Sequence, residues 1–476
     1  MVVGEITEER DLVVIGGGPG GYHAAIRANQ LGLSVTLVEK EELGGVCLNK
    51  GCIPSKLMTH FAKRYKAIEH DRNMGLDISA VSINLSRLQE YKKNLTSGLK
   101  KGVESLCKAN KIEILKGTAM FLSEDRIGIE NGHQYSIYRF KKAIIATGST
   151  TRPSPHFPNN DSRCLDSASI FELKELPEEL IVEGSGYIEL EVAMSFQALG
   201  SKVTLILNSE LDFDQTMTKE LFRVLKKNKV KVLKGYSLKE MKHEGSSLKA
   251  QYSSDGGETI LVEGSHYFSV GKQVPNIEEL GIDRLKLEQN EEGFLIVNEQ
   301  CQTSLPHIYA IGDVTGGKIL ATKAIKQGKV AAEAIAGFAS EYNEFFLPAI
   351  VHTIPAIASV GLTEEQAKDR YEIMTSVYPL GGNGFAQLTG EKEGVVKVIM
   401  DRQSDVLLGL HMMGSSAVEL ISSSIIGLEM GGRDEDFTFP FYPHPSINES
   451  LLEAVEALKG KAIHLPPSKQ REIAKV

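Results

Sequence analysis

Two stretches of the chain superpose when one is shifted by 168 positions, Gly16 onto Gly184, and this repeat limits the fold more than any other feature. Gly18 then falls on Gly186 and Gly32 on Gly200. The first copy opens with the apolar strand Asp11-Leu-Val-Val-Ile15 and turns through Gly16-Gly-Gly18-Pro-Gly-Gly21. It continues as a helix through Ala24, Ala25, Ala28 and Leu31 and returns as the strand Ser34-Val-Thr-Leu-Val38, ending on Glu39. Strand, glycine turn, helix, strand and acid in that order form a dinucleotide fingerprint. Gly16 makes the tight turn, Gly18 lets a pyrophosphate approach the helix N-terminus, Gly21 permits close packing, and Glu39 can accept from a ribose hydroxyl. A repeated unit of this kind predicts two nucleotides.

The copies differ where a ligand would lie. Gly21 becomes Glu189, Ile15 becomes Glu183 and Glu39 becomes Leu207. Negative charge at a helix N-terminus opposes a bound anion by about 0.3–1 kcal/mol per charge, so the second nucleotide is expected to bind less well than the first. Alternatively, Glu189 points to solvent and the remaining backbone N–H groups suffice. Leu207-Asn208-Ser209 offers neither a ribose acid nor an arginine for a 2′-phosphate, which leaves NAD and NADP both open.

Between the copies lies Gly44-Gly-Val-Cys47-Leu-Asn-Lys-Gly51-Cys52-Ile-Pro54-Ser-Lys56. On an ideal helix, residues five apart have Cα atoms roughly 8.7 Å apart, beyond the ~7 Å reach of a disulfide, so a Cys47–Cys52 bond requires a bent backbone. Gly51 and Pro54 provide the means, one by conformational freedom and the other by lacking an N–H. A strained, accessible bridge of this kind is easily reduced. A structural bridge or two core thiols are the other readings of the residues alone. Cys107, Cys164 and Cys301 stand singly, which fits reduced thiols in a cytoplasmic protein.

The chain has 476 residues, enough for two to four domains, and a formal net charge of −9, which argues against a nucleic-acid partner. Met1 to Arg10 has no apolar core for a signal, and no apolar run approaches a membrane span, so a soluble protein is expected. Leucines and lysines at helical spacing predict a long helix over Leu85 to Cys107.

The cysteine segment, flanked by two Rossmann units, resembles the dihydrolipoamide dehydrogenases of the pyridine nucleotide–disulfide oxidoreductase family. Three further pieces match in order: Ala146-Thr-Gly148, Tyr309-Ala-Ile-Gly-Asp313 and His444-Pro-Ser-Ile-Asn-Glu449. The resemblance covers nearly the whole chain. It implies an α/β fold with two Rossmann-like nucleotide-binding domains and a C-terminal α+β dimerisation domain. The expected division is a first FAD-binding part over 1–150, an NAD(P)-binding domain over 151–270, a second FAD-binding part over 271–347 and an interface domain over 348–476. A polar tail is expected from Pro466-Pro467.

By the same resemblance, FAD occupies the first site, held by Gly16, Gly18, Gly21, Glu39, Gly117, Gly148 and Asp313, with Lys56 paired to Glu191 beside the flavin ring. NAD is expected at Gly184, Gly186, Tyr187 and Gly271, although Val270-Gly-Lys-Gln-Val-Pro-Asn276 is one residue longer than usual. Cys47 and Cys52 would form the redox disulfide, Cys47 facing the dithiol and Cys52 the flavin. His444, oriented by Glu449, would act as base from the second subunit of a homodimer. No metal is expected. The implied reaction is oxidation of dihydrolipoamide by NAD+, with lipoyl-bearing subunits of 2-oxoacid dehydrogenase or glycine cleavage complexes as partners. A related disulfide or metal-ion reductase, and a flavoprotein subunit or scaffold with a weakened nucleotide site, are the alternatives. Tyr442 stands where dihydrolipoamide dehydrogenases often have another histidine.

Overall fold

A computed structural model of the chain describes residues 8–152, 161–245 and 247–466. The end of the expected polar tail lies outside them. The first glycine unit forms as its pattern predicts: strand β1 (Glu8–Ile15), helix α1 (Pro19–Gln30) and strand β2 (Val35–Glu39), with β1 and β2 parallel in a register that sets Leu12 opposite Val35 and Ile15 opposite Val38. Leu12, Val13 and Val14 are buried on both faces of the sheet, so their unbroken apolar run cannot lie at a surface. Parallel strands Glu113–Lys116, Gln134–Ile145 and Ile308–Ala310 extend the sheet, the last arriving from far along the sequence.

The second unit repeats this geometry. Strand Glu179–Glu183 runs parallel to Lys202–Leu207 around a helix of the same 12-residue length as α1. Strands Lys231–Lys234, His266–Ser269 and Cys164–Leu165 complete a five-stranded parallel sheet. A two-stranded antiparallel ribbon, Ser149–Arg152 with Lys272–Pro275, links the two units. The C-terminal part is a five-stranded antiparallel sheet against which helices Ala417–Glu429 and Glu449–Leu458 pack, with Leu420, Ile421, Leu451 and Val455 turned inward.

Helix α2 (Gly45–Asn49) and helix α3 (Cys52–Asn73) carry the two cysteines. The bend expected between them is a complete break: the Val46 carbonyl accepts from both Lys50 N–H and Gly51 N–H, at 2.8 and 2.7 Å, and Gly51 becomes the N-cap of α3. Pro54 then lies in the first turn of α3, where a missing N–H costs nothing because that turn has no intrahelical acceptors. Helix α4 (Leu85–Ala109) matches the long helix read from the leucine and lysine spacing, opened by the Asn84 side chain accepting from Arg87 N–H.

Candidate active site

Starting the α3 helix at Cys52 puts both thiols, Lys56 and the N-terminal half of a second helix into one cluster. That second helix is α5 (Tyr187–Ala198), which belongs to the other nucleotide unit and packs across α3. Glu191 on α5 is 1% exposed and accepts from Lys56 Nζ at 2.8 and 2.9 Å, from Ser55 Oγ at 2.7 Å and from the His352 backbone N–H at 2.9 Å. Four donor contacts keep this buried carboxylate satisfied and fix the Lys56 ammonium near the cysteines. The lysine also lies 5.8 Å from the centre of the Tyr187 ring.

Cys47 and Cys52 are both free thiols, half-buried, and close enough for each to shift the other's ionisation. The interaction between the two thiols lowers the pKa of Cys52 and raises that of Cys47; burial raises both, and the Lys56 charge lowers both. In the reduced pair the thiolate therefore belongs to Cys52. Asp313 acts electrostatically on Cys47, and Asp313 and Glu191 act on Tyr187, so these residues surround one small volume.

Asp313 is not a helix cap. It lies in a single 3-10 turn, Gly312–Thr315, held by Gln327 Oε1 accepting from Gly312 N–H at 2.7 Å and by Lys323 Nζ donating to the Gly316 carbonyl. Burial raises the pKa of Asp313, opposed by the charge on Lys323 and by the nearby Ser149 hydroxyl. Along the same cleft, Glu39 accepts from Gly17 N–H at 2.6 Å and from Glu41 N–H at 2.7 Å. Gly45 approaches Gly18 so closely that a Cβ on it would stand 2.8 Å from the Gly18 Cα. The Thr147 hydroxyl is buried without a partner, and a Cβ on Gly148 would meet nothing within 4 Å. A bare-backbone channel ending in buried carboxyl and hydroxyl groups fits the ribityl and pyrophosphate parts of a flavin dinucleotide.

At the far end of the chain, His444 Nδ1 and Glu449 Oε1 are 2.8 Å apart, and Ser446 N–H donates to Glu449 Oε2 at 2.9 Å. His444 is 80% exposed, and its contacts are with its own loop, not with the cysteines. Nearby, Phe439, Phe441, Met430 and Ile426 are exposed, an apolar surface out of keeping with a free monomer. Tyr442 is part of the packing here, its hydroxyl donating to the Phe437 carbonyl at 2.7 Å.

Residues 10–328 match the family described as pyridine nucleotide-disulphide oxidoreductase, and residues 347–455 match its dimerisation domain. The chain belongs to the pyridine nucleotide-disulphide oxidoreductase family. It is similar to a dihydrolipoyl dehydrogenase of Geobacillus stearothermophilus, 38% identical over 98% of this chain and 99% of that one. To one of Bacillus subtilis it is 37% identical over 98% of this chain and 100% of the other. The crystal structure of LpdA from Mycobacterium tuberculosis overlays with a TM-score of 0.88 at 25% identity, covering 94% and 99% of the two chains. The HOCl-induced flavoprotein disulfide reductase RclA from Escherichia coli shares the fold, with a TM-score of 0.83 at 23% identity over 94% and 99%. Members of the family use FAD and NAD, and this chain is an oxidoreductase acting on sulfur groups, with a dimerisation domain that supports a homodimer. Among the described residues, no helix is long and apolar enough to cross a membrane.

The second nucleotide unit also has its cleft, a cavity of about 710 Å³ lined by Gly184, Ser185, Gly186, Asn208, Gly271 and Lys272 among others. Two carboxylates on its wall bear on the alternatives left open by the sequence. Glu189 does not point to solvent; it is 7% exposed, and its carboxylate lies under the glycine loop. Glu183 lines the cavity, but its Oε2 accepts from the hydroxyls of Tyr252 and Tyr267 at 3.0 and 2.7 Å, so this charge is held by side chains of the second unit itself. Ser55 and His352 were not found from sequence. Ser55 lies inside the recognised segment but has no catalytic chemistry of its own, and His352 contributes only a backbone N–H, which any residue type could supply.

Proposed function

We propose that the chain is a dihydrolipoamide dehydrogenase in which Cys47 and Cys52 are the redox pair. The observation that carries this reading is the pair of interacting thiols on either side of the α2–α3 break, with Cys52 at the N-terminus of α3 near the Lys56–Glu191 ion pair. In the oxidised protein the pair forms a disulfide. A thiolate of the substrate attacks the Cys47 sulfur, the disulfide breaks, and Cys52 leaves as a thiolate stabilised by Lys56. The second substrate thiol then closes the substrate disulfide, displacing Cys47, whose sulfur takes up a proton. His444 of the partner subunit removes the proton from the incoming thiol, and Glu449 holds the imidazole in the orientation that presents Nε2. FAD, held by Gly16, Gly18, Gly21, Glu39, Gly117, Gly148 and Asp313, supplies a two-electron acceptor beside Cys52 that can pass hydride on to NAD+.

The part played by Gly184, Gly186, Tyr187 and Gly271 is to seat that nucleotide, and Glu189 favours the reading that they seat it weakly. The ribbon that joins the two units supports the divisions near residues 150 and 270, and the start of the dimerisation-domain match at residue 347 supports the third. The five cysteines, two paired and three single, support a reducing compartment such as the cytoplasm, and a mobile lipoyl group on another subunit is the natural source of the dithiol.

Anaerobic mixing of the FAD-loaded protein with dihydrolipoamide tests the proposal. Rapid loss of the oxidised flavin absorbance is expected for the wild type and none for Cys47→Ser. A wild-type flavin that does not respond to the dithiol would refute the assignment.

A further inference from the structure

Helix α5 carries two buried carboxylates that face opposite ways. Residues two apart on a helix are separated by roughly 200°, so while Glu191 points at Lys56, Glu189 points into its own nucleotide unit. Glu189 is the third residue of α5, counted from the N-cap Gly186. A glutamate at this position can reach back to the backbone N–H groups that the first turn leaves without acceptors. Its carboxylate lies against that turn: a Cβ on Gly184 would stand 2.4 Å from Glu189 Oε1, and one on Gly186 would stand 2.7 Å from Oε2. The N–H groups of Gly186, Val270 and Glu189 itself act on the carboxylate. Gly186 and Val270 belong to the two loops that flank the 710 Å³ cavity. In the first unit nothing comparable is possible, because a Cβ on Gly21 would lie 1.8 Å from the Gly16 carbonyl oxygen.

A helix N-terminus beneath a glycine loop is where a dinucleotide places its pyrophosphate. We propose that Glu189 gates the second site: its buried carboxylate occupies the anion-binding end of α5, against the Gly184–Gly186 loop and on the cavity wall. A pyridine nucleotide then binds only when this side chain is protonated or displaced. The inference rests on reading the cleft as a pyridine-nucleotide site.

The electrostatics agree with the geometry. Burial pushes the Glu189 pKa up to about 7, against the pull of the three N–H groups. The other charged groups on the cavity wall are Arg152, Glu183, Glu210, Asp212 and Lys272. Of these, Arg152 pairs with Glu278, Asp212 with Lys318, and Glu183 with the two tyrosine hydroxyls. If the neutral form of Glu189 is the one that admits a nucleotide, binding at higher pH takes up one proton. The apparent Kd then rises about tenfold per pH unit above the Glu189 pKa and is flat below it.

The test is calorimetric titration of the FAD-loaded protein with NAD+ between about pH 6 and about pH 8.5, in buffers of different ionisation enthalpy. For the wild type, affinity is expected to fall with pH, and proton uptake at the upper end should approach one per nucleotide. Glu189→Gln, nearly the same shape without the charge, should bind with no pH slope and no uptake. Glu189→Gly should bind at least about tenfold more tightly than the wild type at the highest pH. Flavin absorbance reports that each variant has folded around its FAD. Equal, pH-independent binding by all three proteins would overturn the gate while leaving the nucleotide site in place. No binding of NAD+ by any of them would overturn the reading of the cleft, and the gate with it.

Discussion

The two nucleotide units share a backbone and differ in what lies under the glycine loop. In the first, Gly16 N–H donates to the Val38 carbonyl at 2.8 Å; in the second, Gly184 N–H donates to Ile206 at 2.9 Å, the same bond at the same point of the repeat. Beyond that bond they diverge. Glu39 stays at the rim of its cleft and accepts from Gly17 N–H, whereas its counterpart Leu207 is 3% exposed and packed into the core. The polar corner is rebuilt by Ser185, whose hydroxyl donates to the Ser209 carbonyl at 2.8 Å and accepts from Ser209 N–H at 3.1 Å. Glycine at position 21 leaves the first loop to its ligand; glutamate at position 189 gives the second loop a ligand of its own. A fold can thus be kept whole while its binding site is filled from within.

Exchanging features between the units tests this difference. The largest effect is expected from Gly21→Glu, which copies the second unit into the first. With the Gly16 carbonyl 1.8 Å from the new Cβ, the loop must move, and a loss of more than about 3 kcal/mol with failure to retain FAD is expected, read by thermal unfolding and flavin content. Glu191→Ala removes the other buried carboxylate of α5 and leaves Ser55, Lys56 and the His352 N–H without their acceptor. Because Lys56 is partly solvated, the expected loss is about 2–3 kcal/mol, at the lower end for a broken buried pair, measured by denaturant unfolding.

Glu189→Gln should act in the opposite direction and only at higher pH. The folded-state pKa of Glu189 is about 7 and the unfolded value about 4.5, so the folded protein binds the extra proton between them and stability falls as pH rises through that window. Above pH 7 the penalty is complete, of order 3 kcal/mol, and the glutamine variant escapes it. Thermal unfolding of the two proteins should therefore coincide near pH 4.5 and separate by about 2 kcal/mol or more near pH 8. The smallest gain is expected from Leu207→Glu, which restores the missing acid in sequence. Leu207 is buried, so the new carboxylate meets apolar neighbours, and about 2 kcal/mol of stability should be lost with no more than about a twofold change in NAD+ affinity by calorimetry.

Much of this could be read from the sequence because it rests on spacing. The repeat, the long α4 helix and the need to bend the chain between Cys47 and Cys52 all follow from periodicity or chain geometry; the first two have their counterparts in the structure, and the bend is there as a full break. What escaped depends on side-chain direction. The sequence marks Glu189 as the wrong residue in a glycine position, but whether it faces water or the loop depends on the room beneath Gly184, which a sequence does not encode locally. Leu207 was recognised as a missing acid, and its burial in the core shows why restoring that acid is not a simple repair. His352 escaped for another reason: its tie to Glu191 is made by the backbone, and no side-chain pattern marks it.

On this reading the disulfide end of the electron path is complete, while the nucleotide end is held shut by Glu189. Anaerobic titration of the FAD-loaded protein near pH 8 with each reductant in turn tests both halves at once. Dihydrolipoamide is expected to bleach the oxidised flavin by about two equivalents, one for the disulfide and one for the flavin, and NADH to require at least about tenfold more, a difference that Glu189→Gly should abolish. Bleaching by NADH as readily as by dihydrolipoamide in the wild type, or no bleaching by the dithiol, would contradict the account.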